Sequence, residues 1–344
     1  MRYDYAVYIG RFQPPHRGHF SLMQQAAEIA DTLLLCVGSA YSSRSLRNPF
    51  TFSERQDLLL ELTAGLPCAV ACLPLRDSAY NFTEWLIHLR QAVLEYACAQ
   101  GKPDASIILI GARKDESSYY LEHIPEWPFH RFPVAGSYNS TRVRELLAHD
   151  PSGLTAAALQ EHVEATVAAW LQLWMHSLPA NAFREEYAAV QVYRSSWAQA
   201  PYPPVFVTVD ALVLCSGRVL LVRRGKWPGK DQLALPGGFL EPDEPCKAAC
   251  LRELREETGL IISDPDKYLL MTHVFDEPYR DPRGRMLTHV FMFSLPTTSH
   301  LAELSAADDA EAALWFPLHE LIESSSLFFG DHHRIIRYFL NRLQ

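Results

Sequence analysis

The chain has 344 residues, 48% hydrophobic and 21% charged, with a formal net charge of −9. At roughly 150 residues per domain, this is room for two compact units that each bury a core. The acidic balance excludes broad, sequence-blind binding of nucleic acid, which needs a basic face, and no apolar run approaches the ~20 residues that cross a membrane.

In chain order, residues 5–10, 33–38, 69–75 and 107–111 are short apolar runs of the kind that form strands buried on both faces. Between them, 18–31, 53–64 and 82–99 have helical periodicity. Strand and helix in alternation predict an α/β fold with a doubly wound, Rossmann-like parallel sheet. Ligands of such sheets bind beyond the carboxyl ends of the strands. Residues 155–176, rich in Ala, Leu and Trp, read as one further helix. After them periodicity is weak and Pro201, Pro203 and Pro204 cluster. That predicts a domain at 1–177, a linker at 178–204 and a second domain at 205–344. The second is β-rich, with strands at 206–214, 218–224, 269–276 and 289–295 and one strong helix near 245–258, a mixed α/β pattern.

The start lacks a basic segment followed by an apolar core and does not read as an export signal. The seven cysteines form no C-x-x-C pair. Cys36, Cys72 and Cys215 lie in apolar runs and read as small buried hydrophobes, and Cys246 with Cys250 reads as helix packing rather than a metal site. A reducing, cytoplasmic setting follows.

Gly238, Glu244, Arg252, Glu253, Leu254, Glu256, Glu257, Gly259 and Leu260 fill every fixed position of G-x(5)-E-x(7)-R-E-U-x-E-E-x-G-U, where U is a large aliphatic residue. On a helix, Glu253 precedes Glu256 and Glu257 by three and four residues, so the three carboxylates share a face. Like charges that close repel, and a divalent cation is the natural compensation. Oxygen-only ligands favour Mg²⁺ or Mn²⁺ over zinc. A charge run such as R-E-L-R-E-E usually reads as a solvated helical face, but the flanking residues at set spacings reverse that. Gly237 and Gly238 let the backbone approach a pyrophosphate, Gly259 ends the helix, and Arg252 pairs with a carboxylate such as Glu244 to fix the loop. The segment resembles the Nudix box. The resemblance implies that Glu253, Glu256, Glu257 and Glu244 hold metal, activate water and cleave a nucleoside diphosphate linked to another group. Glu256, Glu257 and the acidic loop 307–311 are all open as general base.

Gly10-Arg11-Phe12-Gln13-Pro14-Pro15-His16-Arg17-Gly18-His19 follows the first strand. Two histidines three apart suggest metal ligands, yet no third ligand stands nearby. The segment resembles the H-x-G-H signature of nucleotidylyltransferases, whose histidines bind ATP phosphates at a helix start. Asn48-Pro49-Phe50-Thr51 with Glu54-Arg55, Asp77-Ser78-Ala79-Tyr80-Asn81 with Trp85, and 114–121 with Pro125-Glu126-Trp127 resemble segments of NMN adenylyltransferases. So does Asn139-Ser140-Thr141-Arg142-Val143-Arg144, although Tyr138 and Asn139 stand where Ile and Ser are usual. Trp85 alone reads as a core aromatic and Thr141 as a cap; in this order the pieces favour a site.

The whole chain resembles the bacterial bifunctional NMN adenylyltransferase/Nudix hydrolases. The resemblance implies that ATP and NMN give NAD and pyrophosphate in the first domain. Arg11, His16, His19, Arg47, Thr141 and Arg144 would hold the triphosphate, and Asn81 and Trp85 the nicotinamide. It implies ADP-ribose hydrolysis to AMP and ribose 5-phosphate in the second, with Mg²⁺ or Mn²⁺ at both sites. A homo-oligomer is compatible with the sequence. The rivals are transfer to another phosphate, such as pantetheine phosphate, beside a Nudix domain for other dinucleotides, and a Nudix domain that senses ADP-ribose without cutting it. Asn81 and Trp85 argue against the first, and the intact glutamates against the second.

Overall fold

The structure is a computed structural model and describes residues 2–78, 80–112, 123–134, 136–149, 155–298, 301–305 and 310–343. The chain divides into two compact units, Met1–Arg184 and Glu185–Gln344.

In the first unit, β1 (Tyr3–Gly10), β2 (Ala30–Val37), β3 (Ala69–Pro74), β4 (Ile107–Gly111) and β5 (Phe129–Arg131) form a parallel sheet in the order β3-β2-β1-β4-β5. Alternate side chains enter two cores. Val7, Leu34, Cys36 and Leu109 pack under α3 (Phe82–Ala99), with Leu86, Leu89 and Val93. Ala6, Tyr8, Leu33, Leu35 and Ile108 pack under α1 (Arg17–Ile29) and α2 (Phe52–Thr63), with Leu22, Met23 and Leu59. Burial on both faces is why β1, β2 and β4 are mostly apolar runs. The order reverses between β1 and β4, so the crevice opens at their carboxyl ends, beside Gly10 and Gly111. Helix α4 (Ser140–His149) starts near this end, its Ser140 hydroxyl donating to Pro14 O.

Two sequence expectations are corrected here. Residues 155–176 form two helices, α5 (Ala156–Gln160) and α6 (Ala165–Trp174). Arg17 takes the carbonyls of Gln160 and His162, one through Nε and one through its backbone N–H, and the chain turns at Glu164. A tertiary bond thus outcompetes helix continuation. Residues Leu178–Ser196, expected to be weakly periodic, form the long helix α7. Its buried stripe runs Ala180, Phe183, Glu186, Val190. That stripe has helical spacing, but a carboxyl fills one of its apolar slots, and Pro179 falls in the first turn, where proline is tolerated.

In the second unit, β6 (Val205–Cys215), β7 (Arg218–Arg224), β8 (Leu233–Ala234), β9 (Gly237–Phe239), β10 (Leu269–Phe275), β11 (Arg285–Ser294) and β12 (Ala310–Pro317) form one mixed sheet. Its main path is β10-β11-β6-β7-β12, with β8 on β7 and β9 on β6; β6 and β11 run parallel. Helix α8 (Cys246–Thr258) lays Ala249, Cys250 and Leu254 on Val209, Ala211 and Val213 of β6. It ends at Gly259, whose φ of 72° is left-handed. The short α9 (Pro265–Tyr268) precedes β10, and α10 (His332–Leu340) buries Ile335, Ile336 and Phe339.

All seven cysteines are free. Burial pushes the Cys36 and Cys72 thiols up to about 12, as inert packing residues have it. Among the described residues, no helix is long and apolar enough to cross a membrane.

Candidate active sites

The histidine turn between β1 and α1 is held by a reciprocal cap. His19 N–H donates to His16 Nδ1 at 3.2 Å and His16 N–H to His19 Nδ1 at 3.1 Å, with the rings stacked 3.5 Å apart. An Nδ1 that accepts leaves the hydrogen of a neutral ring on Nε2, so both rings are donors at their outer nitrogen. They stand at the first turn of α1, where backbone N–H groups and the helix dipole favour anions.

Beneath this turn two side chains bind only main chain. Gln13 Nε2 donates to Phe50 O at 2.8 Å while its Oε1 accepts from Phe50 N at 3.0 Å. Arg55, 1% exposed, donates to the carbonyls of Thr51, Arg11, Gly38 and Ser39. Asp77 accepts from the Ser39 backbone N–H and hydroxyl. The motif Asn48–Arg55 therefore braces the site: Thr51 and Glu54 form a capping box on α2, and Glu54 also pairs with Arg44. The roles of Gln13 and Arg55 were missed in the sequence because their bonds to Phe50, Arg11, Gly38 and Ser39 join residues far apart along the chain. One signal was present: a glutamine beside two prolines in the turn after β1.

Arginines crowd the crevice. Burial, then the charges of Arg47 and Arg144, lowers Arg11 to about 10. Burial with Arg47 does the same to Arg144. Arg144 donates to Gln13 O at 2.8 Å and to Thr141 Oγ1 at 3.1 Å. Arg11 Nη1 is buried with no hydrogen-bond partner among the described residues. Asn139 Oδ1 accepts from Arg142 N, so it caps α4 as its side chain suits. Farther along, Asn81 caps α3 through Glu84 N, and Trp85 is half-buried, stacked on Phe82 at 6.0 Å and packed on the core. Trp127 is buried in that core. Ala79 and the loop 114–121 lie outside the described residues.

In the second unit, the glutamate helix faces β9. Arg252 is gripped by Glu244 through two bonds, 2.6 and 3.1 Å, as the sequence reading expects. Its Nη1 also reaches Glu253 at 2.8 Å and Glu256 at 2.9 Å. Glu257, 8% exposed, accepts from Gly237 N at 2.9 Å. Burial, with Glu253 and Asp210 nearby, pushes its carboxyl up to about 8. Gly237 and Gly238 lie in a strand paired with β6, and neither has room for a side chain. A Cβ on Gly237 would stand 2.6 Å from Asp210 Oδ1, and one on Gly238 2.5 Å from Glu253 Cδ. Among the described residues no three His, Cys, Asp or Glu side chains converge on one point. The glutamates are engaged by Arg252 and Gly237 instead. Their chemistry nonetheless suits a hard cation: oxygens only, close together, with the Glu257 carboxyl raised by burial and by the neighbouring carboxylates. Of the acidic loop 307–311, residues 307–309 lie outside the described residues, while Ala310 and Glu311 begin β12.

Gly237, Gly238 and Glu257 border a cavity of about 110 Å³, lined also by Asp210, Arg224, Arg280, Arg283, Phe329 and His332. Arg280 is paired with Asp331 and Arg283 with Asp281. No motif in the sequence marks them, since they come from four separate stretches, at 210, 224, 280–283 and 329–332. One signal was present: Asp210 stands in the middle of the apolar run of β6, where its carboxylate accepts from Thr288.

Residues 7–72 match the model of the cytidylyltransferase-like family, and residues 205–339 that of the NUDIX domain. The parallel sheet with its histidine turn and the mixed sheet with its glutamate helix thus make one chain of a nucleotidyltransferase and a Nudix hydrolase. A crystal structure of a bifunctional NMN adenylyltransferase/ADP-ribose pyrophosphatase from Francisella tularensis, complexed with AMP and a manganese ion, is 31% identical with a TM-score of 0.90, covering 99% of this chain and 100% of that one. The chain belongs to this bifunctional family. A Methanocaldococcus jannaschii ADP-ribose pyrophosphatase is 38% identical over 134 residues, 39% of this chain and 72% of that protein. The Acinetobacter baylyi nicotinamide/nicotinic acid mononucleotide adenylyltransferase is 36% identical over 130 residues, 37% of this chain and 65% of that protein.

Proposed function

We propose that the first unit makes NAD from ATP and NMN, and that the second hydrolyses ADP-ribose to AMP and ribose 5-phosphate. The observation that carries the first half is Arg11. A buried guanidinium with an unpartnered nitrogen, beside two more cations, is costly until a polyanion arrives. A triphosphate is that polyanion. The 5′-phosphate of NMN attacks the α-phosphorus of ATP in line; the new P–O bond forms as the bond to the bridging oxygen breaks and pyrophosphate leaves. His16 and His19 donate to the charge that develops, with Arg11, Arg47, Arg144 and Thr141 holding the departing phosphates. Trp85 supplies a stacking face for nicotinamide and Asn81 an amide for its carboxamide. Positioning does the work, with no covalent intermediate. Mg²⁺ would accompany the triphosphate.

In the second unit Glu253, Glu256 and Glu257 would hold Mg²⁺ or Mn²⁺. Glu244, which the motif groups with them, ties down Arg252 in this structure. A divalent cation, when bound, polarises the diphosphate and makes water a stronger nucleophile. The chain's own part is to keep the glycine strand flush with the glutamates, whose charge Arg252 balances through its bonds to Glu253 and Glu256. Water adds to one phosphorus, and the P–O–P bridge breaks. The free thiols agree with a reducing cytoplasm.

The test is product identification. With ATP, Mg²⁺ and NMN the protein should release NAD and pyrophosphate, and with ADP-ribose it should release AMP and ribose 5-phosphate. The double variant Glu256→Gln, Glu257→Gln should lose the second activity by roughly 10²-fold or more and keep the first. Hydrolysis near the original rate in that variant would remove the assignment of the second unit.

A further inference from the structure

We infer that Arg224 and His332 form a phosphate-binding wall in the cavity of the second unit, taking oxygens of the substrate's diphosphate. The inference rests on the reading of that unit as acting on a nucleoside diphosphate. It concerns side chains outside the Nudix box.

The three arginines around the cavity differ in how their bonds are spent. Arg280 and Arg283 each face a carboxylate, with Nη2 of each 2.9 and 2.8 Å from Asp331 and Asp281 respectively. Arg224 faces none at bonding distance. Its Nε donates to Pro228 O at 2.9 Å and its guanidinium carbon lies 4.3 Å from the centre of the Phe329 ring. Phe329 is itself fixed, because Gly229 presses so close that any Cβ there would enter the ring's van der Waals shell. The guanidinium is thus held in plane and azimuth, while Nη1 and Nη2 make no hydrogen bond to the described residues. Burial and the nearby Arg283 lower its pKa; Asp281, Glu257 and Asp210 act in the opposite sense. A largely buried cation with unspent donors is stable only if something anionic enters.

His332 adds a second fixed donor. It opens α10, is 7% exposed, and accepts the Leu235 backbone N–H at Nδ1, 3.1 Å away. In a neutral ring the hydrogen is then on Nε2, and burial shifts the ring's pKa down, toward that form, against Asp210 and Asp331. Nε2 makes no hydrogen bond to the described residues. The ring lies 5.7 Å from that of Phe329, so both donors rest on one aromatic support.

Arg224 and His332 offer donors and no acceptor, while the carboxylates that line the same cavity already have partners of their own: Asp331 in Arg280, Asp281 in Arg283, Asp210 in Thr288 and Glu257 in Gly237. Ribose hydroxyls bring hydrogens that need an acceptor, and adenine needs both. A phosphoryl group brings only acceptors, and the planar guanidinium matches two of its oxygens.

The experiment is calorimetric titration of the full chain with ADP-ribose and with adenosine in excess EDTA, so that protein donors alone hold the phosphates. Arg224→Gln should weaken ADP-ribose by roughly 10–100-fold, and His332→Asn by about 3–10-fold. Adenosine should bind each variant as it binds the wild type. Asparagine keeps an acceptor where Nδ1 was and lacks the Nε2 donor; His332→Gln does the reverse. His332→Asn should therefore lose affinity and hold its Tm, and His332→Gln should lose Tm and hold affinity. Unchanged ADP-ribose affinity in Arg224→Gln overturns the inference, as does an equal loss for adenosine or a wild type that binds no ADP-ribose without metal. If the wild type binds through these two residues yet releases no AMP when Mg²⁺ is restored, the hydrolase reading falls and the wall stands.

Discussion

Glu186 of α7 offers a quantitative check on the second unit. Its carboxyl is 5% exposed, and burial, helped by Asp281, pushes it up to about 7 against the Gly229 backbone bond and Arg224, which act the other way. In the unfolded chain a glutamate titrates near 4.3. Between those two values the folded state holds a proton that the unfolded state has lost. Stability therefore falls as pH rises through that window, and the penalty is absent below it and complete above it. At 1.36 kcal/mol per tenfold change, the full penalty is roughly 3–4 kcal/mol. Glu186→Gln keeps an oxygen for Gly229 and removes the titration. Denaturant unfolding of the wild type and the variant at a series of pH values from 4 to 8.5 reads the difference directly. The two should agree at the acid end, and the variant should be more stable by that amount at the alkaline end. Curves that stay parallel across the range would refute the burial argument, because Glu257 and every other titrating group are common to both proteins.

His19→Ala should cut adenylyl transfer by roughly 10²-fold and cost the capping box about 1 kcal/mol, leaving ADP-ribose hydrolysis in place; product assays and melting of the same preparation check both. Arg55→Met removes a buried charge and strands four carbonyls, so urea unfolding followed at the first unit should show a loss of roughly 3–5 kcal/mol. Gly238→Ala places a methyl within 2.5 Å of Glu253 Cδ, which displaces that carboxylate by about 1 Å; hydrolysis should fall by roughly 10²-fold while NAD synthesis continues.

What could be read from the sequence followed from how local each feature is. Four of the five strands of the first unit were visible as apolar runs, β1, β2 and β4 because they are buried on both faces, while β5, three residues with His130 and Arg131 exposed, was not. The glutamate helix was visible because its spacing and its flanking glycines lie within one short segment. Helix α7 was hidden by Glu186, a carboxyl in a core slot, which breaks the apolar count that periodicity depends on. The division of residues 155–176 was hidden because its cause is Arg17, far earlier in the chain. The cavity of the second unit was hidden for the same reason: Asp210, Arg224, Arg283 and His332 meet only after the sheet has formed. Trp85 remains both things the sequence allowed, a residue packed on the core and an aromatic face still partly open.

Gln13 and Arg55 address main-chain amides and carbonyls, and so they are indifferent to which side chains the neighbouring loops carry. At Gly38 only the backbone course matters to Arg55, whereas Ser39, Phe50 and Thr51 also carry side-chain duties, the hydroxyl on Asp77, the buried ring and the cap of α2. An engineer who wants this scaffold to accept a different mononucleotide would therefore keep those three and vary the exposed positions around them. The two stitches beneath hold the turn after β1 in register with those loops. The permissive and the immovable positions of the first unit are adjacent in space, which is what a scaffold for directed evolution requires.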